Sequence, residues 1–193
     1  MKRHFLFPLV VIPLVASFSV AAQQTPHSMQ AVPASISQGS KWTEADRKAL
    51  LIKARHGDVG AQFWLGAGYE QGWFGKANFQ EALKWLRKAA AHGDPDAQNA
   101  LGKMYQDGEG VPQNYVLAAK WYRKAAEHVP DLGGAGQGRN NLGLLYFDGL
   151  GVPKDYVQAY MWFSVAGVET NMAAAQEEMN PQQVLKAQQL AVC

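Results

Sequence analysis

The amino-acid sequence predicts an all-α fold, a solenoid of stacked helix-turn-helix repeats with a capping helix at each end. Three observations lead to this fold class. The same residues recur in register along the chain, the apolar residues within each copy follow a helical period, and glycine and proline recur at one turn. A unit of this kind cannot bury its apolar face alone, so neighbouring copies must stack.

The first 22 residues have the pattern of a secretory signal peptide. Basic "MKRH" precedes the apolar run "FLFPLVVIPLVASFSV", and small residues stand before Gln23, which predicts cleavage after Ala22. The apolar run is short for a membrane span, and an uncleaved anchor is the alternative. We therefore expect an exported protein, periplasmic or secreted, with no membrane span after cleavage.

A linker and one folded domain are expected after the cleavage point. Residues 23–40 are polar, contain two prolines and show no apolar period, which predicts a flexible linker. The repeat domain is expected over residues 41–193. Within it we predict a cap at 43–56, repeats at about 57–92, 93–128 and 139–169, and a second cap at 170–191.

Charge limits the classes of partner expected for the exported chain, and cysteine content limits its disulfides. Cleavage removes Lys2 and Arg3 from the 18 basic side chains, which leaves as many basic groups as the 16 acidic ones. This neutrality gives no electrostatic reason to expect nucleic acid or an anionic membrane surface as partner. Cys193 is the only cysteine, so packing rather than an internal disulfide must stabilise the domain. We expect a monomer, with an intermolecular disulfide as the alternative role of this thiol.

The repeat has two halves that recur together, and the third copy is displaced further than the second. The first half is seen as Leu65, Gly66, Tyr69 and Gly72, then Leu101, Gly102, Tyr105 and Gly108, then Leu142, Gly143, Tyr146 and Gly149. The second half is seen as Phe79, Ala82, Trp85 and Ala89, then Tyr115, Ala118, Trp121 and Ala125, then Tyr156, Ala159, Trp162 and Ala166. Each half has the apolar spacing of a helix, and its tryptophan column is predicted to be core.

Glycine recurs at two kinds of position in the first half. In mid-helix it is less favourable than alanine by about 1 kcal/mol, so its recurrence predicts close approach of a neighbouring helix. At the end of the helix it suits a left-handed cap. Pro112 and Pro153 then set the chain direction, and Asn114 and Asp155 are the predicted N-caps of the next helix.

One copy can be written A-x-x-x-L-G-x-x-Y-x-x-G-x-G-V-x-x-(D/N)-(Y/F)-x-x-A-x-x-W-x-x-x-A-A. This pattern resembles the Sel1-like repeat, a relative of the tetratricopeptide repeat, and with degenerate ends the resemblance covers roughly residues 43–191. It implies a right-handed α-solenoid that acts as an adaptor holding other proteins.

Both ends of the domain carry signals for capping helices. "TEADRKALLIKARHGDVGAQ" keeps the register of a second-half helix without its tryptophan, with Thr43 as predicted N-cap. "TNMAAAQEEM" is a shortened first-half helix. A last helix follows, with Asn180 at its N-cap and Gln183 at N3. It is expected to cover the last repeat with Val184, Leu185 and Leu190.

The titratable residues do not predict a metal, cofactor or catalytic site. His56, His92 and His128 occupy equivalent positions, which stacked helices hold about 8–10 Å apart. The ligands of one zinc ion lie about 2 Å from it, so these histidines cannot converge on one ion. They are predicted to end helices instead. The acidic residues of the turns have no recurring histidine or serine partner.

Two loops depart from the repeat pattern. An insertion over 129–138, with "DLGGAGQG", follows a helix and lacks Gly-Lys-Ser/Thr, so it is predicted to be flexible rather than a phosphate loop. Partner contact is its alternative role. In the first copy "GWFGKANF" replaces "GxGVPxxY". Its aromatic residues, Trp73 and Phe74, either contact a partner or cover the end of the solenoid.

The remaining positions of the first-half helices form a candidate binding surface. They lie opposite the Leu/Tyr stripe, and stacking would align them across repeats on the concave face. They are Phe63, Ala67 and Glu70, then Asn99, Lys103 and Gln106, then Asn140, Leu144 and Phe147. A solvated face without a ligand is the alternative.

The resemblance, together with the predicted export, implies a non-catalytic adaptor in the cell envelope that binds another envelope or secreted protein on its concave face. The alternative is a cell-wall-associated enzyme or a polysaccharide-binding accessory factor. An adaptor requires an open groove of polar and aromatic side chains, whereas an enzyme requires titratable groups gathered in a cleft.

Overall fold

The computed structural model describes residues 42–128 and 134–191, and within these ranges the regular structure is entirely helical. This confirms the all-α prediction. The predicted signal peptide, the linker and Cys193 lie outside the described residues. The helices are α1 Glu44–Arg55, α2 Val59–Glu70, α3 Phe79–Ala91, α4 Pro95–Asp107, α5 Tyr115–Ala126, α6 Gly134–Asp148, α7 Tyr156–Ala166, α8 Glu169–Glu177 and α9 Pro181–Ala191.

The helices pack in pairs that stack into a solenoid. Helices α2, α4 and α6 are the first helices of the three repeats, and each packs on the helix that follows it. Cap helix α1 packs on α2, and α8 and α9 both pack on α7. Successive first helices also contact each other directly, α2 with α4 and α4 with α6, more closely than successive second helices do. The first helices are therefore the inner layer of the stack.

Three mid-helix glycines lie where the two helices of a repeat cross. They face Leu86, Tyr122 and Phe163, in the pairs Gly66 with Leu86, Gly102 with Tyr122, and Gly143 with Phe163. A Cβ atom at any of these glycines would lie 2.5–2.6 Å from a side-chain carbon of the facing helix. Carbon atoms do not pack this closely, so each glycine leaves the space that the facing side chain fills. The predicted close approach is confirmed.

The residues that face these glycines, rather than the tryptophans before them, are the most buried large side chains of the second helices. Trp85 is buried, as predicted, but Trp121 and Trp162 are only half-buried. Lys124 Nζ lies 4.6 Å from the centre of the Trp121 ring. Trp121 and Trp162 therefore pack against the core without full burial, and the core prediction holds in full only for Trp85.

The turns within the repeats have the predicted geometry. Their glycines adopt left-handed backbone angles, with φ of 69° at Gly72, 76° at Gly108 and 74° at Gly149. The next helix then begins at a side-chain N-cap: Asn114 accepts a hydrogen bond from the backbone N–H of Leu117 at 3.0 Å. In the second repeat, the Asn114 N–H also donates to the Tyr105 carbonyl at 2.7 Å, which closes the turn.

Both capping helices begin as predicted. Thr43 caps α1, since its side chain accepts from the Asp46 N–H and the Asp46 carboxylate accepts from the Thr43 N–H. Asn180 and Gln183 form the same reciprocal arrangement before α9, with both hydrogen bonds at 3.0 Å. Each pair satisfies N–H groups that the first turn of a helix leaves without partners.

Helix α9 covers α7 with small residues rather than with its leucines. Ala187 is fully buried and Val184 is half-buried, but Leu185 is 58% exposed and Leu190 is 41% exposed. The prediction that the two leucines lie over the last repeat is therefore wrong. Close packing of the helices requires an alanine at the contact, and the larger side chains project to its flanks.

The glycine-rich segment before the third repeat begins a helix instead of forming a loop. Residues 134–138 are the first turn of α6, and residues 129–133 lie outside the described part. A Cβ atom at Gly134 would lie 2.5 Å from the Pro95 carbonyl oxygen, and one at Gly138 would lie 2.7 Å from the Ala125 Cβ. The prediction of a flexible insertion is wrong for 134–138, because these glycines permit close contact with α4 and α5.

Candidate functional site on the inner face

The first helices present one continuous face, here called the inner face, and it is built from the predicted binding positions. Between α2 and α4, Glu70 Oε1 lies 3.7 Å from Lys103 Nζ. The Glu70 side chain is only 8% exposed, whereas that of Lys103 is 49% exposed. The seam between the first and second repeats is therefore ionic, with the ammonium group accessible and the carboxylate covered.

Burial raises the pKa of the Glu70 carboxyl above its ordinary value. The ammonium group of Lys103 opposes this shift, and the carboxylate of Glu109 adds to it. Since Glu70 ends α2, it also lies at the end of the helix that disfavours negative charge. The ion pair thus offsets only part of the unfavourable environment of a buried carboxylate.

Amide side chains occupy the seam between the second and third repeats. Asn99 Nδ2 donates to Gln137 Oε1 at 3.0 Å, and Asn99 Oδ1 accepts from Asn141 Nδ2 at 3.0 Å. Further along, Asn171 Nδ2 on α8 donates to Asn140 Oδ1 at 2.8 Å. We call these five residues the amide row. It crosses from α4 over α6 to α8.

Two open clefts adjoin the amide row. The amide cleft, of about 360 Å³, is lined by Gly136, Gln137, Asn140, Asn141, Ala166 and Val168. The apolar cleft, of about 70 Å³, is lined by Leu144, Phe147, Phe163, Asn171 and Ala174. The hydrogen bond between Asn140 and Asn171 joins one lining to the other. Leu144 is 38% exposed and is the most accessible large apolar side chain of the inner face.

The other predicted positions of the inner face are partly used in packing. Phe63 packs against the core of the first two repeats. Phe147 packs against the last core cluster, with its ring edge-on to Tyr156 at 5.3 Å. The Gln106 side chain accepts a hydrogen bond from the Tyr122 hydroxyl at 3.1 Å. These side chains shape the inner face, while Lys103, Leu144 and the amide row leave groups available to a ligand.

Trp73 and Phe74 cover the first end of the solenoid. Trp73 stacks on Trp42 with ring centres 5.2 Å apart, and both rings lie about 6 Å from Trp64. Phe74 inserts its ring against Gly68, where a Cβ atom would overlap it. Of the two predicted roles, the structure therefore supports cover. Trp73 remains half-exposed.

The repeated sequence pattern matches one known family. The Sel1 repeat matches residues 59–94, 95–128 and 137–167, which together span more than half of the chain. The chain belongs to the Sel1 repeat family. Sel1 repeats generally mediate protein–protein interactions, and their fold is generally a non-catalytic scaffold.

Solved structures support the same fold for this Sel1 repeat protein. The Sel1 repeat protein from Oxalobacter formigenes is 37% identical, with a TM-score of 0.57, over 68% of this chain and 98% of that chain. The protective antigen c5321 of uropathogenic Escherichia coli strains, which displays an SLR fold, is 24% identical, with a TM-score of 0.57. That similarity covers 86% of this chain and 44% of the antigen, and it supports the fold alone. No curated protein matches the chain.

The sequence did not lead us to predict one buried polar column of the Sel1 repeats. Gln62, Gln98 and Arg139 occupy equivalent positions and are at most 5% exposed. Each donates a hydrogen bond of 3.1–3.2 Å to a carbonyl at the end of the preceding second helix or cap, in the pairs Gln62 with Ala54, Gln98 with Ala90, and Arg139 with Ala126. The Ala-Gln pair shared by the first two copies was the available signal, and the third copy carries Gly138 and Arg139 at these positions.

A second missed feature is a series of arginine–tyrosine hydrogen bonds between units. The motif tyrosine of each first helix accepts from an arginine on the helix before the repeat, in the pairs Arg47 with Tyr69 at 3.1 Å, Arg87 with Tyr105 at 3.1 Å, and Arg123 with Tyr146 at 2.7 Å. The motif tyrosines of these Sel1 repeats therefore pack within their own repeat and also link it to the preceding unit by a hydrogen bond.

Within 42–128 and 134–191, no three histidine, cysteine or acidic side chains gather as a metal site would require. His56 and His92 are helix C-caps, as predicted. No helix in the described ranges is long and apolar enough to cross a membrane.

Proposed function

We propose that this Sel1 repeat protein is a non-catalytic adaptor of the cell envelope that binds another exported protein on its inner face. The observation that carries the proposal is the apolar cleft, where Leu144 remains exposed on the innermost helix layer beside unengaged amide groups. Such a surface has the mixed apolar and hydrogen-bonding character of protein interfaces.

Export is proposed from the signal-peptide pattern of residues 1–22, whose removal leaves a chain with balanced charge. The balanced charge favours a partner recognised by shape and hydrogen bonds over a polyanion. The inner face supports the same view, since the two charged side chains among its predicted positions, Glu70 and Lys103, are paired with each other.

Two matched variants test the binding face. Leu144→Glu places a charge in the apolar cleft, whereas Val116→Glu places one at an exposed aliphatic position in the first turn of α5. We expect Leu144→Glu to reduce covalent capture of the partner about tenfold or more after crosslinking in intact cells. Val116→Glu should leave capture unchanged, and both variants should keep the melting temperature within a few degrees.

Equal capture by the two variants would contradict binding at the inner face. Envelope location is tested separately, by fractionating cells that produce the full chain or a chain without residues 1–22. We expect only the full chain in the exported fraction. A cytosolic full chain would contradict the envelope part of the proposal while leaving the adaptor role intact.

A further inference from the structure

The amide row has hydrogen-bonding groups that its internal bonds do not use. Asn140 engages its oxygen with Asn171, so its NH₂ group has no partner among the described residues. Within the described ranges, Gln137 likewise engages only its oxygen, with Asn99. Asn141 engages its NH₂ group and leaves its oxygen open. The lining of the amide cleft therefore offers two donor groups, on Gln137 and Asn140, and one acceptor, on Asn141.

None of the described residues that line the amide cleft carries a charged side chain. A ligand bound there must be recognised by neutral groups that both donate and accept, and the peptide bond is such a group. A glycan could exchange hydrogen bonds too, but sugar rings are commonly stacked on aromatic faces. The lining within the described part of the chain contains no aromatic ring, and the nearby Phe147 ring is packed edge-on to Tyr156. The chemistry favours a peptide main chain.

The bound segment must be extended rather than helical. A helix engages its own N–H and C=O groups, and only an extended chain leaves them free for side-chain amides. The row runs over three helices, and neighbouring packed helices are about 8–10 Å apart, so it spans about 20 Å. An extended chain covers this distance with about six residues. The adjoining apolar cleft would receive one apolar side chain of that segment, beside Leu144.

We propose that the amide row reads the main chain of an extended, uncharged partner segment of about six residues. This proposal rests on the proposed adaptor function and names the partner chemistry of its inner face. Recognition through main-chain groups makes binding tolerant of sequence, apart from one apolar anchor. It also makes binding insensitive to salt, because no counter-ions are released.

The probe is an array of short synthetic peptides without Asp, Glu, Lys or Arg, incubated with the protein lacking residues 1–22. The best binders are resynthesised with N-methyl groups at alternate main-chain nitrogens, which remove donors without changing side chains. We expect N-methylation to weaken binding about tenfold or more, the equivalent of one or two hydrogen bonds. Raising the salt concentration tenfold should change Kd less than about twofold.

Two amide variants and a control complete the experiment. Gln137→Leu and Asn140→Leu should each weaken peptide binding about fivefold or more. Gln188→Leu changes an exposed amide on α9 and should leave binding unchanged. Circular dichroism melting of each variant separates loss of the site from loss of the fold. Asn140→Gln retains the amide and should recover part of the affinity.

Three results would overturn the inference. They are the absence of any peptide binder tighter than millimolar, equal binding of N-methylated peptides, and amide-dependent binding of glycan-strand fragments in place of peptides. The adaptor function is tested independently by measuring how much partner the Leu144→Glu variant captures. If that variant loses the partner while N-methylated peptides still bind, the adaptor stands and the main-chain inference fails.

Discussion

In the first repeat a loop residue fills the space beside the end of the first helix, whereas in the other two repeats the helix fills it. Phe74 inserts from the loop against Gly68. At the positions equivalent to Gly68, the later repeats carry Met104 and Leu145, which are at most 2% exposed. At the positions equivalent to Phe74 they carry glycine, so large and small residues have exchanged places.

The exchange follows from what precedes each repeat. In the second and third repeats the turn lies against the first residue of the preceding second helix, and a Cβ atom at Gly110 would lie 2.6 Å from the Phe79 Cβ. The first repeat instead follows the cap helix α1, and there Trp42 packs against both aromatic residues of the loop, Trp73 and Phe74. Phe74 therefore takes part in closing the end of the solenoid. The turn motif depends on the neighbouring unit as well as on its own repeat.

Converting the first repeat to the later pattern is the strongest test of this comparison. Phe74→Gly should lower the free energy of unfolding by about 3 kcal/mol, because it removes a ring from a packed site. Gly68→Met alone should lower it by about 2 kcal/mol, through overlap with that ring. The double variant should lose less free energy of unfolding than the sum of the two single losses, by at least about 1 kcal/mol, since Met can occupy the vacated space.

Urea unfolding of the four proteins measures this coupling. Gly75→Ala is a control in the same loop, because no atom lies within 4 Å of the position its Cβ would take. Its effect reports backbone strain alone, since Gly75 has a φ of 133°. Strict additivity in the cycle would contradict the exchange of packing volume.

The helix crossings of the first and second repeats should respond differently to the same substitution. Gly66 faces Leu86, which can change rotamer, whereas Gly102 faces the rigid ring of Tyr122. We expect Gly102→Ala to lower the free energy of unfolding by about 2 kcal/mol and Gly66→Ala by about 1 kcal/mol or less. The helical preference for alanine offsets part of both losses. Equal thermal shifts for the two variants would show that the facing side chain does not decide the result.

Substitution in the ionic seam of the first two repeats should change stability least among these tests, and only this change should depend on pH. Burial raises the pKa of Glu70, so its ionised form is disfavoured in the folded state above that pKa. The penalty is lost as the pH falls through the folded pKa towards the ordinary value of 4.5. Glu70→Gln should therefore be as stable as the wild type or more stable at pH 7, within about 1 kcal/mol.

Unfolding midpoints at pH 7 and pH 4 measure this difference. The advantage of Glu70→Gln should shrink at pH 4, where the wild-type carboxyl is largely protonated. Glu81→Gln is the control, because Glu81 pairs with Lys84 on the surface of α3. A loss of stability in Glu70→Gln at pH 7 would mean that Lys103 more than compensates the burial of the carboxylate.

The sequence alone determined the ends of the helices and the register of the repeats. Thr43, Asn114 and Asn180 could be predicted as N-caps because a cap depends on residues within one turn of it. The mid-helix glycines could be explained because their recurrence indicated contact with a neighbouring helix. The repeat spacing placed Glu70 and Lys103 on one face, since stacked units bring their equivalent faces together, but it aligns Glu70 with Gln106 and not with Lys103.

Only the tertiary structure decided which residues contact one another and how closely. Trp121 and Leu185 match core patterns yet remain partly exposed, because the closest contacts go to Tyr122 and Ala187. Gly134 and Gly138 resemble loop residues in sequence, but their small size serves helix packing. The periodicity of a sequence identifies the side of a helix that is buried. The distance to the opposing helix, which selects the size of each side chain, is set by all the packed neighbours together.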